Sequence, residues 1–187
     1  MTAFEFLSVA LSFVLGLAVT LVLTSFLSAF RARSESRMDW LPFAWAGYVL
    51  VNQFQYWWAI FELSSVSEWT VASFGMLLLL AVILFLAGGL TLPTGSGEYP
   101  RDLGEYFSTD GKWGVVALAS YAVVGVVGNV ILFGTPLVSP LHALQAGLFC
   151  SAIVVAVARN RRVEVAGTVL SGLFLILGLV LATTWAY

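Results

Sequence analysis

Six long apolar runs, separated by polar stretches, set the pattern of this chain; they cover 4–30, 40–63, 69–92, 113–137, 141–158 and 163–186. Each is near the ~20 residues that a helix needs to cross a bilayer core of ~30 Å. The first run would be roughly 40 Å long at ~1.5 Å per residue, so it must tilt or protrude. The pattern predicts an all-α fold, a polytopic bundle of six transmembrane helices forming one domain over 1–187. Residues 93–112 form the one long loop.

Within the first run, small or hydroxylated residues recur at every fourth position: Ser8, Ser12, Gly16, Thr20, Thr24 and Ser28. Small residues let helix backbones approach, and hydroxyls bond across to a partner or back to their own helix. A four-residue step overshoots the helical turn by ~40°, so the seam winds slowly. That suits a partner helix crossing at about −40°. The expectation is a packing axis, inside the bundle or between copies, that positions the second helix; lining a water path is the alternative. Gly88-Gly89, Gly125 and Gly128 are candidate facing surfaces.

The second run is the most polar, with Asn52-Gln53-Phe54-Gln55-Tyr56-Trp57-Trp58 at its centre. Tyr48, Asn52, Gln55, Ala59 and Glu62 follow helical spacing and share one face. Amides in hydrocarbon need partners, because an unsatisfied polar group there costs several kcal/mol. Asn129, His142 and Gln145 are candidates at matching depth. A purely structural polar cluster is one reading. The other is a vestibule walled by Trp45, Tyr48, Trp57 and Trp58 and lined by Asn52, Gln55, Asn129 and Gln145, with Glu62 and Glu5 at its rim. Aromatic walls with convergent amides suit a neutral or weakly polar small molecule, or a partly dehydrated ion.

In the third connection, Tyr99, Leu103, Tyr106 and Phe107 fall on one helical face, with Arg101, Asp102 and Glu105 opposite. Pro100 suits a first helical turn. The segment reads either as a short helix on the membrane surface or as a plain solvated loop.

Charge then orients the bundle. The eight basic residues are Arg31, Arg33, Arg37, Arg101, Lys112, Arg159, Arg161 and Arg162, and all lie in the first, third and fifth connections. The positive-inside rule makes that side cytoplasmic and both termini extracytoplasmic. Trp40 and Trp113 at the inner edge and Trp69 at the outer edge fit an interfacial aromatic belt. Composition agrees: 60% of residues are apolar and 10% charged, with a mean hydropathy of +0.98, too apolar for a water-soluble domain. The expected location is a plasma membrane or bacterial inner membrane.

The same inventory excludes several chemistries. Lys112 is the one lysine and lies at a helix edge, so a mid-membrane Schiff base is excluded. One histidine, His142, excludes bis-histidine haem ligation within the chain. Arginine is absent from the run interiors, which argues against a voltage sensor. Gly95-Ser96-Gly97 lies on the opposite side from His142, so a serine–histidine hydrolase of the membrane is excluded too. The lone Cys150 is expected to be a small packing residue. No catalytic pair, cofactor or metal site is expected.

Three function classes follow. The first is a small channel or transporter with an outward-facing site on the second helix. The second is a non-enzymatic accessory or assembly protein that packs with partner subunits or lipid. The third is a lipid-modifying enzyme of the membrane. Expected partners are membrane lipid, further copies of the chain and, for the first class, a small molecule or ion; nothing points to nucleic acid.

Overall fold

Local chemistry starts and stops the helices where the apolar runs begin and end. The computed structural model describes residues 2–66, 69–94 and 99–185. Gly95-Ser96-Gly97 and the end of the sixth run at 186 lie outside the described residues. Six long helices are present: α1 Ala3–Arg31, α2 Trp40–Glu62, α3 Val71–Thr91, α4 Leu103–Phe133, α5 Pro140–Val157 and α6 Arg161–Trp185. Thr2 and Glu5 form a reciprocal capping box on α1, and Thr70 and Ser73 do the same on α3. Asp39, Asp102 and Ser139 accept from the first free amides of α2, α4 and α5. Gly134, with φ of 62°, takes the left-handed conformation that terminates α4.

Contacts between helices give their directions. Val49 and Gln53 of α2 lie against Gly88, Gln53 bonds Leu84, and Tyr56 bonds Leu77, so α2 and α3 are antiparallel. Asp39, Trp45 and Tyr48 of α2 meet Arg161, Thr168 and Gly172 of α6, so that pair is parallel. Around the bundle α1 adjoins α3, α3 adjoins α4, α4 adjoins α5, and α5 adjoins α6. α2 packs against α1, α3 and α6 and closes the arrangement. One end therefore gathers the 31–40, 91–103 and 157–161 connections with six of the basic residues, and the other two are close by, Arg162 in the first turn of α6 and Lys112 in the third turn of α4. We call this the arginine-rich end.

Among the described residues, five helices are long and apolar enough to cross a membrane: α1, α3, α4, α5 and α6. α2 falls short of the six-span expectation in hydropathy, not in length: Asn52, Gln53, Gln55 and its Trp and Tyr residues lower its average. Each long helix also turns large apolar side chains outward, among them Phe13 and Leu17 of α1, Phe54 and Phe61 of α2, Leu79 and Leu86 of α3, Val127 and Ile131 of α4, Val157 of α5 and Leu173 and Leu177 of α6.

Two sequence expectations are corrected here. The third connection forms neither a surface helix nor a plain loop over its second half. It enters α4 at Leu103, passes through a π turn at Phe107–Gly111, and continues as one helix. Leu103 and Phe107 are fully buried in the bundle, not laid on a membrane surface. The wider turn makes room for Phe107, whose ring lies over Gly111, where an added Cβ would come within 2.8 Å of it. Ser108 and Thr109 hydroxyls donate to the carbonyls of Glu105 and Tyr106 that the π turn rearranges.

The second correction concerns the seam on α1. The buried stripe of α1 is Leu7, Leu11, Leu15, Ala18, Val22, Ser25 and Ala29, which mixes steps of four and three as a straight helix requires. The seam drifts off this stripe. Ser8, Ser12 and Gly16 are half-buried, Thr20 and Thr24 are exposed, and nothing lies within 4 Å of a Cβ built on Gly16. Thr20 and Thr24 hydroxyls donate back to the carbonyls of Gly16 and Thr20. The seam is therefore not the axis that seats α2 within the chain. Gly88 and Gly89 do face α1, but through Val22 and Leu21, whereas Gly128 faces Met76 and Leu80 of α3.

Candidate functional site

The polar face of α2 is spent largely on its neighbours. The indole N–H of the fully buried Trp45 donates to Thr168 Oγ1 at 3.0 Å, and the Tyr48 hydroxyl donates to the Thr168 carbonyl at 3.1 Å. The Tyr48 ring fills the notch left by Gly172, where a Cβ would collide with it. Asn52 is buried and donates back to the Tyr48 carbonyl at 2.8 Å. Gln53, wholly buried, donates to the Leu84 carbonyl at 3.3 Å, and Tyr56 donates to the Leu77 carbonyl at 2.7 Å. Bonds of this kind between membrane helices average about 0.6 kcal/mol, so the four that cross to α3 or α6 contribute roughly 2–3 kcal/mol together.

The expected vestibule is thus divided. Trp45 and Tyr48 seal the α2–α6 contact. Trp57 and Trp58 are exposed on α2, beside Phe54 and Phe61. Gln55 and Asn129 are half-buried, and Glu62 is exposed at the end of α2. His142 and Gln145 lie one turn apart on α5. His142 is buried, and its Nδ1 lies 3.1 Å from the Leu137 carbonyl. Gln145 sits beside Gly125 of α4. His142 Nε2, Gln145 Oε1 and Gln53 Oε1 are buried atoms without a hydrogen-bond partner among the described residues. Cys150 is exposed on α5 and is not a packing residue.

The densest polar constellation lies at the other end of α2, and the sequence reading passed over it. Arg161 Nη2 sits 2.6 Å from each oxygen of Asp39, and Nη1 lies 3.6 Å from Glu164 Oε2. Glu164 Oε1 meets Lys112 Nζ at 2.7 Å, with side chains only 9% and 14% exposed. Lys112 also donates to the Ala158 carbonyl at the end of α5. The four charges sum to zero and join the starts of α2 and α6 to the third turn of α4. Glu164 occupies the first turn of α6 and Lys112 the last carbonyls of α5, both favourable to the helix dipoles. The first and third connections interlock as well: Arg37 N donates to the Arg101 carbonyl at 2.8 Å, Leu103 N donates to the Arg37 carbonyl at 3.1 Å, and Arg37 lies 3.5 Å from Asp102. Ser36 donates to the Pro100 carbonyl at 2.7 Å. In this region burial, with Tyr106 nearby, pushes the Tyr99 phenol up to about 12.

Beside this clasp lies a shallow, open surface cavity of about 440 Å³ lined by Met38, Asp39, Trp40, Phe43 and Arg161. Among the described residues no three His, Cys, Asp or Glu side chains converge as a metal site would require. Thr168, Glu164, Asp39 and Arg161 were the residues to find. Asp39 gave a signal as a helix cap, but its partner lies 122 positions away. Comparison of the chain with protein-family models, with curated proteins and with solved structures found no match.

Proposed function

We propose that the chain is a six-span protein of a plasma or bacterial inner membrane, with its arginine-rich end in the cytoplasm and both termini on the other side. On this reading α2 crosses too, despite its polarity. It is antiparallel to α3 along most of its length, and only short connections join it to α1 and α3, which run parallel. If α1 and α3 cross, the chain must return through α2. The collection of all eight bases at one end supports the orientation.

Within that frame the chain acts as a non-enzymatic accessory or assembly protein. The observation that carries this reading is the use of the α2 polar face: Trp45, Tyr48, Asn52, Gln53 and Tyr56 are engaged by the bundle itself. A channel or transporter is the second reading, favoured by the partnerless acceptors His142 Nε2 and Gln145 Oε1. Ion and solute flux into vesicles carrying the purified protein separates the two. The accessory reading expects none, and the same null trace for Gln145→Leu. Flux in the parent that Gln145→Leu abolishes would establish the transport reading instead. The orientation is tested in a Cys150→Ala background. Thr135→Cys should react with an impermeant maleimide on intact cells, and Ser34→Cys only after permeabilisation; the reverse order inverts the topology.

A further inference from the structure

We propose that the cavity beside the clasp holds the headgroup of one zwitterionic phospholipid of the phosphoethanolamine type, taken from the adjoining leaflet. The inference rests on the membrane reading above. Depth is the first reason. The cavity sits at the start of α2, where Trp40 opens the helix and is 48% exposed, as an interfacial tryptophan would be. Its lining is the second. Met38, Trp40 and Phe43 make one apolar wall, and Asp39 with Arg161 makes a wall of one anion and one cation. The depression is shallow and broadly open to the surface, with about 440 Å³ of space, so it would take a headgroup from the side.

Charge decides the class of headgroup. Arg161 has five N–H donors, and its contacts to Asp39 and Glu164 are made by its two terminal nitrogens. Its side chain stays 45% exposed, which leaves donors for a phosphate. Asp39 Oδ1 is taken by Arg161 and the Leu41 amide, while Oδ2 meets Arg161 and keeps a second lone pair for an ammonium, on a side chain 16% exposed. A headgroup carrying both charges lies antiparallel to this pair and satisfies each. A purely anionic headgroup gains Arg161 but meets Asp39, and like charges juxtaposed at an interface are penalised. A quaternary choline has no N–H to give Asp39. The apolar wall favours the lipid over free phosphoethanolamine.

The test is native mass spectrometry of the protein reconstituted in vesicles of phosphatidylethanolamine, phosphatidylglycerol and phosphatidylcholine in equal parts. One phosphatidylethanolamine retained per chain, with a preference of about three- to tenfold over the other two, is expected from the worth of one half-exposed ion pair and its hydrogen bonds. Asp39→Asn keeps a good helix cap, and should abolish that preference and raise phosphatidylglycerol. Trp40→Ala should lower retention of all three lipids without changing the fold; it carries the test should Asp39→Asn fail to fold. Equal retention of the three lipids, a preference for phosphatidylglycerol, or folded variants that retain lipid as the parent does would each overturn the proposal. Protein that does not float with the vesicles at all would instead refute the membrane reading.

Discussion

Gly114 and Gly16 test whether close helix approach occurs where the bundle shows it. A Cβ built on Gly114 would lie 2.5 Å from Thr91 Cγ2, 2.8 Å from the Thr91 backbone nitrogen and 2.9 Å from the Ala87 carbonyl oxygen. Two of these atoms are backbone, so no rotamer change relieves the contact. α3 and α4 must move apart over the turn where they are closest. Overfilling a packed interior costs about 1–3 kcal/mol, occasionally more. Rigid backbone contacts put the cost in the upper half of that range, and helix propensity returns about 1 kcal/mol for glycine to alanine, so Gly114→Ala should lose about 1–2 kcal/mol net. Gly16→Leu presents the opposite case. Nothing lies within 4 Å of its Cβ, and the substitution gains propensity, so the fold should hold or stabilise slightly. Equilibrium unfolding in mixed micelles, followed by tryptophan fluorescence, measures both. A Gly114→Ala protein as stable as the parent, or a Gly16→Leu protein that unfolds earlier, would refute the helix contacts argued above. A Gly16→Leu protein that keeps its stability but loses self-association would assign the seam to a second copy.

Lys112→Met leaves Glu164, 9% exposed, with only the longer Arg161 contact and should destabilise by about 2–3 kcal/mol, at or below the low end for a fully stranded buried charge, whereas Lys112→Met with Glu164→Leu should recover most of the loss; additive losses in a double-mutant cycle would count against the pair. The Tyr99 phenol keeps its proton more tightly in the fold, so the unfolded chain ionises first, near 10, and stability should fall as pH rises from there to about 12. Tyr99→Phe should flatten that part of an alkaline unfolding curve and leave stability at neutral pH equal or higher, since its buried hydroxyl has no partner among the described residues.

The helices were legible in the sequence because length, apolarity and caps all mark them. Observed ends lie within a few residues of the expected ones, except where Leu103 starts α4 ten residues early. The faces were far less legible, and lipid is the reason. In water a polar stripe marks the outside of a helix, so the apolar stripe must be the inside. In a membrane both sides are apolar, and Leu11, buried, and Phe13, exposed, carry the same signal. Small residues then stand out, and on α1 they mark a face that the bundle itself leaves largely uncovered. Close approach occurs instead at Gly147 against Phe174, at Gly167 against Val155, and at the Ser151–Ser171 hydrogen bond of 2.8 Å, all between α5 and α6. The clasp was hidden for a different cause. Asp39, Lys112, Arg161 and Glu164 each look like an ordinary charge at a helix end, and only the packing of three ends brings them together.

That assembly changes what the eight bases mean. The stretches 31–39, 93–112 and 159–164, which hold the eight bases, also carry seven of the ten acidic residues, Glu35, Asp39, Glu98, Asp102, Glu105, Asp110 and Glu164, so eight bases against seven acids leave a net charge of +1 over them. The orientation rule counts bases and largely ignores acids, so the asymmetry can direct insertion in full. Once folded, the same end is nearly neutral, and Arg37, Lys112 and Arg161 are turned toward carboxylates of other segments. A surface neutralised in this way has little long-range pull on an anionic leaflet, where each uncompensated base would add about 1 kcal/mol. Selection of lipid at this end must then come from short-range fit. The cavity offers that fit, with a cation, an anion and an aromatic wall within one turn of the start of α2. Lipid retention should accordingly depend weakly on salt, since at ~0.15 M screening extends over about 8 Å and adjacent partners lie well inside it.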